Sequence, residues 1–234
     1  GQQTMTQVLE KSINTGAVWA LQQLGPELFL KYLEKFGFFE KTNVDLQGEV
    51  FSQNREFKKG YDINFATASF GQGIEITPMQ LVRAFTTIAN NGQMSQPHLV
   101  REIIYSDASV KRAETKTNPG VISAKTARQV VTMMTSVVEN GFGKKARVPG
   151  YYIAGKTGTA QVAWSALEQN KGGYSDETVQ SFLGFAPAFS PRFLILVKLD
   201  NPQTKTAEYS ALPIFHDLAQ YIIDLWQIPP DYEE

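Results

Sequence analysis

The 234-residue chain contains no cysteine. Disulfides, thiolate catalysis and cysteine-based zinc sites are therefore excluded. Histidine is almost as scarce, and His98 and His216 alone are a poor basis for a metal centre. No metal and no cofactor is expected. Charge of either sign is not in surplus: 22 basic against 23 acidic side chains leave a formal net charge of −1. Without excess Lys and Arg to displace counterions, no nucleic-acid partner is expected. Long hydrophobic runs are missing too, and the aliphatic stretch Phe193-Leu-Ile-Leu-Val197 is far too short to span a bilayer. The first eleven residues lack a basic segment and an apolar core, so they do not read as a signal peptide. Gly (18) and Pro (11) are near background, which removes collagen-like and low-complexity architectures. The chain opens on Gly rather than Met, which suggests a processed product or a fragment.

What is present is a core-forming chain, 42% hydrophobic and long enough to bury a substantial interior. Helical spacing runs from Thr6 to Gln23 and breaks near Asn14-Thr-Gly16. A second helix is expected over Pro26–Phe36, with Pro in its first turn and Gly37 as its stop. Segment 40–72 has little periodicity and reads as a long polar excursion. Thr77-Pro78 opens a helix that Asn91-Gly92 closes, and Ser123 caps another that ends at Gly141. A last helix spans Ala211–Trp226, with Phe215, Leu218, Ile222 and Trp226 on its predicted buried face. Strands are expected over Leu99–Tyr105, Tyr151–Val162, Val179–Phe189 and Arg192–Asp200. The last three are joined too closely for parallel crossovers, so they should form an antiparallel meander.

Residues 155–161, Gly-Lys-Thr-Gly-Thr-Ala-Gln, carry the chemistry. On a strand, Thr157, Thr159 and Gln161 share one face and Lys156 shares the other with Ala160. Gly158 has no side chain, which lets a ligand backbone approach. Two hydroxyls, an ammonium and backbone N–H groups suit a carboxylate and an oxyanion. The span Gly150–Thr157 also matches the phosphate-loop pattern G-x-x-x-x-G-K-[ST]. Its interior, Tyr-Tyr-Ile-Ala, is bulky and strand-like, and Gly158 falls where a helix should begin, so that reading is set aside.

Lys156-Thr-Gly158 is the third element of the set Ser-x-x-Lys, Ser-x-Asn, Lys-Thr-Gly that marks penicillin-recognising serine enzymes. Two tripeptides could supply the second: Ser12-Ile-Asn14, at a break in a helix pattern, and Ser52-Gln-Asn54, within the polar excursion. Longer segments add to this, in order: Leu9–Gly16, Ala68–Leu81, Ala84–Gly92, Pro97–Val100, Ala154–Gln161, Ser181–Pro187 and Ile228–Asp231. Together they resemble the C-terminal part of the transpeptidase domain of a class B penicillin-binding protein, over residues 1–234.

The resemblance implies an α/β fold: an antiparallel sheet flanked by helices, plus a helical subdomain, with the N-terminal part missing. It implies a peptidoglycan D,D-transpeptidase working on stem peptides outside the cytoplasmic membrane, blocked by β-lactams and anchored through an upstream segment. By the same resemblance Ser12 relays a proton with help from Lys156, and Asn14 binds the acyl amide. Thr157 and Thr159 hold the terminal carboxylate beside Gly158, and the Thr159 N–H is half of an oxyanion hole. One departure is large. No serine here has Lys three positions on, Ser109 with Arg112 being a near miss. The nucleophile is therefore expected upstream, and this chain alone is expected to be inactive. A β-lactamase, a D,D-carboxypeptidase or a non-catalytic scaffold of the same fold are the alternatives. Three structural expectations follow: 156–159 lies on a sheet edge facing Ser12–Asn14, 164–176 is a mobile or extended connection, and 193–197 is an apolar edge awaiting partner strands.

Overall fold

The computed structural model describes residues 1–233. The helices α1 (Met5–Glu10), α2 (Asn14–Leu24), α3 (Pro26–Lys35), α4 (Asp62–Ala68) and α5 (Pro78–Ala89) come first. Short strands β1 (Met94–Ser95), β2 (Glu102–Ile104), β3 (Val110–Arg112) and β4 (Thr117–Asn118) follow, then α6 (Ala124–Asn140). The chain ends in β5 (Ala154–Ala163), β6 (Tyr174–Ala186), β7 (Phe193–Asp200) and α7 (Ala211–Leu225). β5, β6 and β7 form the expected antiparallel meander, with β6 in the middle.

Helices cover both faces of that sheet, which follows from strand alternation with apolar residues on each side. On one face α7 sets Leu212, Phe215, Ala219 and Ile223 against Phe182 and Val197. The rings of Phe182 and Phe215 meet edge to face, 4.7 Å apart. Gly155 and Gly184, paired across β5 and β6, leave the room for them, since a Cβ on Gly155 would lie 2.3 Å from the Phe182 ring. On the other face α5 and α6 bring Phe85, Ile88, Val131 and Met134 against Ala154 and Phe185. A third cluster, Leu21, Phe57, Phe65 and Ala68 with Phe29 and Leu33, is the core of the helical subdomain. Fully buried Gln80 ties α5 to that subdomain by donating to the carbonyls of Phe38 and Glu40.

Several expectations need correction. Excursion 40–72 contains α4 and a 3₁₀ turn at Phe57–Lys59, from which Phe57, Phe65 and Ala68 enter the third cluster. Seven residues are too few for periodicity to register there. Of the expected strand over 99–105 only β2 forms, and among the described residues it pairs only with exposed β3. The buried face of α7 also differs: Leu218 and Trp226 are 42% and 51% exposed, whereas Leu212, Ala219 and Ile223 are buried. Two stripes of α7 are apolar, and the one carrying small Ala219 fits closest to the sheet. The connection after β5, expected to be mobile or extended, is not extended throughout. A 3₁₀ turn (Trp164–Leu167) closes it, Trp164 N–H donates to the Gly173 carbonyl, and Lys171 lies over the Trp164 ring.

Candidate active site

α1 ends in a tight turn that sets the position of Ser12. Ser12 N–H donates to the Leu9 carbonyl and Ile13 N–H to the Val8 carbonyl, the paired bonds of a Schellman cap. The residue after such a cap is left-handed and usually Gly. Here it is Ser12, at φ 50°. A side chain in that region costs about 1–2 kcal/mol, and strain of this kind concentrates at functional sites. The helix break thus falls at Lys11–Ile13, slightly earlier than the expected Asn14–Gly16, and Asn14 begins α2. Gly141, just beyond α6, holds the turn from behind; a Cβ there would lie 2.5 Å from the Glu10 carbonyl oxygen.

β5 is an edge strand, and among the described residues its only ladder partner is β6. Lys156 projects from it across to the α1–α2 turn, and its Nζ donates to Ser12 Oγ at 2.9 Å. The same ammonium reaches the Thr157 carbonyl at 3.0 Å and the Thr157 hydroxyl at 3.3 Å. Burial disfavours its charged form and lowers its pKa to about 8. A lysine so placed exchanges protons near neutral pH far more readily than a solvated one.

Between the turn and the β5 edge lies a cleft of about 590 Å³. Ser12, Asn14, Lys156, Thr157, Gly158 and Thr159 all line it, so the structure brings every sequence-identified site residue to one place. The reading of Gly158 gains a second reason: a Cβ there would come within 2.6 Å of Ser181 Oγ, so the glycine also makes room for its cross-strand neighbour. Ser52 and Asn54 lie in a different depression. Asn54 exchanges two hydrogen bonds with the Glu75 backbone and is a structural clamp. The phosphate-loop pattern runs from an isolated bridge at Tyr151 into the first half of β5, and strand rather than helix continues after Thr157.

Other lining residues had no role in the sequence reading: Ser69–Gln72 between α4 and α5, Phe142 after α6, and Thr206–Glu208 before α7. The first group lies within the 68–81 resemblance, and its backbone bends at left-handed Gly71 and Gly73. Thr206–Glu208 carried no local signal at all. No group of metal-ligating side chains occurs among the described residues, and no helix is long and apolar enough to cross a membrane.

Residues 1–220 match the model of the penicillin binding protein transpeptidase domain. Penicillin-binding protein PbpB of Mycolicibacterium smegmatis is 35% identical over 97% of this chain and 36% of its own length. Stage V sporulation protein D of Bacillus subtilis is 38% identical over 87% of the chain and 31% of its own. The chain thus spans about a third of the length of these curated relatives. Among solved structures, penicillin binding protein 3 of Mycobacterium tuberculosis in complex with ampicillin superimposes with a TM-score of 0.88 at 33% identity. That match covers 98% of this chain and 52% of the other. The transpeptidase domain of Burkholderia pseudomallei penicillin-binding protein 3 gives 0.85 at 30% identity, covering 100% of this chain and 67% of the other.

Proposed function

This chain belongs to the penicillin-binding protein transpeptidase family, and from that premise we propose that it supplies the proton-relay and carboxylate-binding side of a peptidoglycan D,D-transpeptidase. The observation that carries the proposal is the 2.9 Å hydrogen bond between Lys156 Nζ and Ser12 Oγ, at the free edge of β5. The substrate is a stem peptide ending in D-alanyl-D-alanine, the acceptor is an amine, and the work is done on the outer side of the cytoplasmic membrane.

The peptide lies along β5 as an added strand. The hydroxyls of Thr157 and Thr159 donate to its terminal carboxylate, and the Asn14 amide donates to the acyl-amide carbonyl. A serine nucleophile gives its proton to the lysine three residues on and attacks the penultimate carbonyl, and the oxyanion that forms accepts from the Thr159 N–H. As the C–N bond breaks, Ser12 Oγ gives its proton to the departing D-alanine nitrogen, and Lys156 restores it. An acceptor amine then takes the acyl group by the reverse path. A β-lactam enters the same way, but its leaving nitrogen stays tethered to the acyl group.

The nucleophile of this reaction is outside the 234 residues, since none of their serines is followed by Lys three positions on. The test is labelling by a fluorescent penicillin. The full-length protein takes up the label covalently, at one serine followed by Lys three residues later, and the 234-residue chain does not. A stable adduct mapped by mass spectrometry to any serine of this chain would overturn the assignment.

A further inference from the structure

One acidic residue lines the cleft without a part in the mechanism. Glu208 is half-buried in the connection between β7 and α7 and lines the cleft together with Lys156, Thr157 and Thr159. Its backbone is firmly placed. Gln180, fully buried and opposite Thr159 in the β5–β6 ladder, donates to the Thr204 carbonyl at 2.6 Å and accepts from Ser210 Oγ at 2.6 Å. These two bonds clamp the connection on either side of Glu208. The next residue, Tyr209, is turned away and covered by the ammonium of Lys145, 3.5 Å from its ring centre. The backbone of Glu208 is therefore held in place beside a ligand bound along β5.

Among the described residues Glu208 forms no ion pair. Of the two ammonium groups lining the cleft, Lys156 is directed at Ser12 and Thr157, and Lys11 donates to Gln3. A lone carboxylate in a site that takes an anionic peptide terminus repels any further negative charge on the ligand and attracts a positive one. Salt screens charges beyond about 8 Å, so the effect is confined to groups held within the cleft.

We propose that Glu208 is a specificity residue that selects ligands carrying an alkylammonium group, borne by the acyl donor or by the acceptor amine. The proposal rests on the function assigned above, and its test separates the two.

Binding is measured at equilibrium on the full-length protein with two peptides ending in D-alanyl-D-alanine. They differ only in a lysine side chain that is free in one and acetylated in the other. The free amine is expected to bind about threefold to tenfold more tightly. Glu208→Gln brings the ratio close to one, and Glu208→Lys inverts it. A separate titration with Nα-acetyl-D-lysine amide, which offers no free carboxylate to Thr157 and Thr159, locates the charge: saturable binding that is lost in Glu208→Gln assigns it to the acceptor, and no such binding assigns it to the donor. A peptide ratio unchanged by Glu208→Gln, without Glu208-dependent binding of the separate amine, overturns the proposal and leaves the function standing. Failure of both peptides to bind overturns the function and the proposal with it.

Discussion

The three-stranded sheet has two free edges of opposite character. The β5 edge reads Lys-Thr-Gly-Thr, faces a cleft and holds a hydrogen-bonded lysine. The β7 edge reads Phe-Leu-Ile-Leu-Val, and α7, packed against the sheet, leaves Ile214, Leu218, Tyr221 and Leu225 exposed. Backbone hydrogen-bonding capacity is the same along both strands, so the side chains decide what each edge accepts. A polar edge with small residues suits a ligand that must come and go, as the function proposed above requires. An apolar edge is stabilised only by something that stays, because natural sheets cover or charge such strands to prevent edge-to-edge pairing.

The largest effect that separates the edges is catalytic. Lys156→Ala in the full-length protein is expected to slow β-lactam acylation by about 10²–10⁴-fold, the range for losing an acid–base participant. Stopped-flow acylation checks this, and a loss below tenfold would place the proton relay elsewhere. A charge introduced on β7 should leave no such mark on the chemistry.

The second contrast is in pH. Burial lowers the pKa of Lys156 from its ordinary 10.5 to about 8. Between those values the unfolded chain binds more protons than the folded one, so stability rises with pH across that window. Below about pH 8 both states are protonated and the burden of a buried charge is constant. Denaturant midpoints measured from pH 7 to 10.5 should show the rise, and Lys156→Met should flatten it.

The third prediction concerns the other edge. The isolated 234-residue chain is expected to self-associate through β7, and Leu196→Lys should weaken that association about tenfold, because a lysine on an edge strand blocks pairing. Sedimentation velocity reads the result. A monodisperse monomer without the substitution would show that β7 tolerates exposure.

The two edges also differ in how far the sequence exposes them. β5 was legible because its residues combine chemistry with alternation: Lys156 and Thr157 point to opposite faces, and the segment matches a known motif. That the strand lies at an edge followed from the same resemblance. β7 was legible as a strand, yet nothing within its five apolar residues tells an edge from a centre. α7 was misread for a related reason, since Leu218 and Ala219 belong to two apolar stripes and only the sheet decides between them. Thr206–Glu208 reached the cleft through the Gln180 bonds, a contact made over 24–30 residues that no local pattern encodes.

The smallest predicted effect concerns the turn opposite β5. Ser12 keeps φ 50° although glycine would occupy that conformation without strain. If the hydroxyl is the reason for serine, then Ser12→Ala and Ser12→Gly should be equally impaired in acylation, because both lose the proton relay. They should differ in stability. Alanine retains the Cβ that clashes in the left-handed region, so Ser12→Gly should be the more stable by about 1 kcal/mol. The greater flexibility of glycine in the unfolded chain trims that difference without reversing it. Denaturant titration of the two variants is the measurement. Equal stability would mean that the α1–α2 turn relaxes once Lys156 no longer holds it. An alanine variant more stable than the glycine one would remove strain from the account of why this edge, and not the other, carries the chemistry.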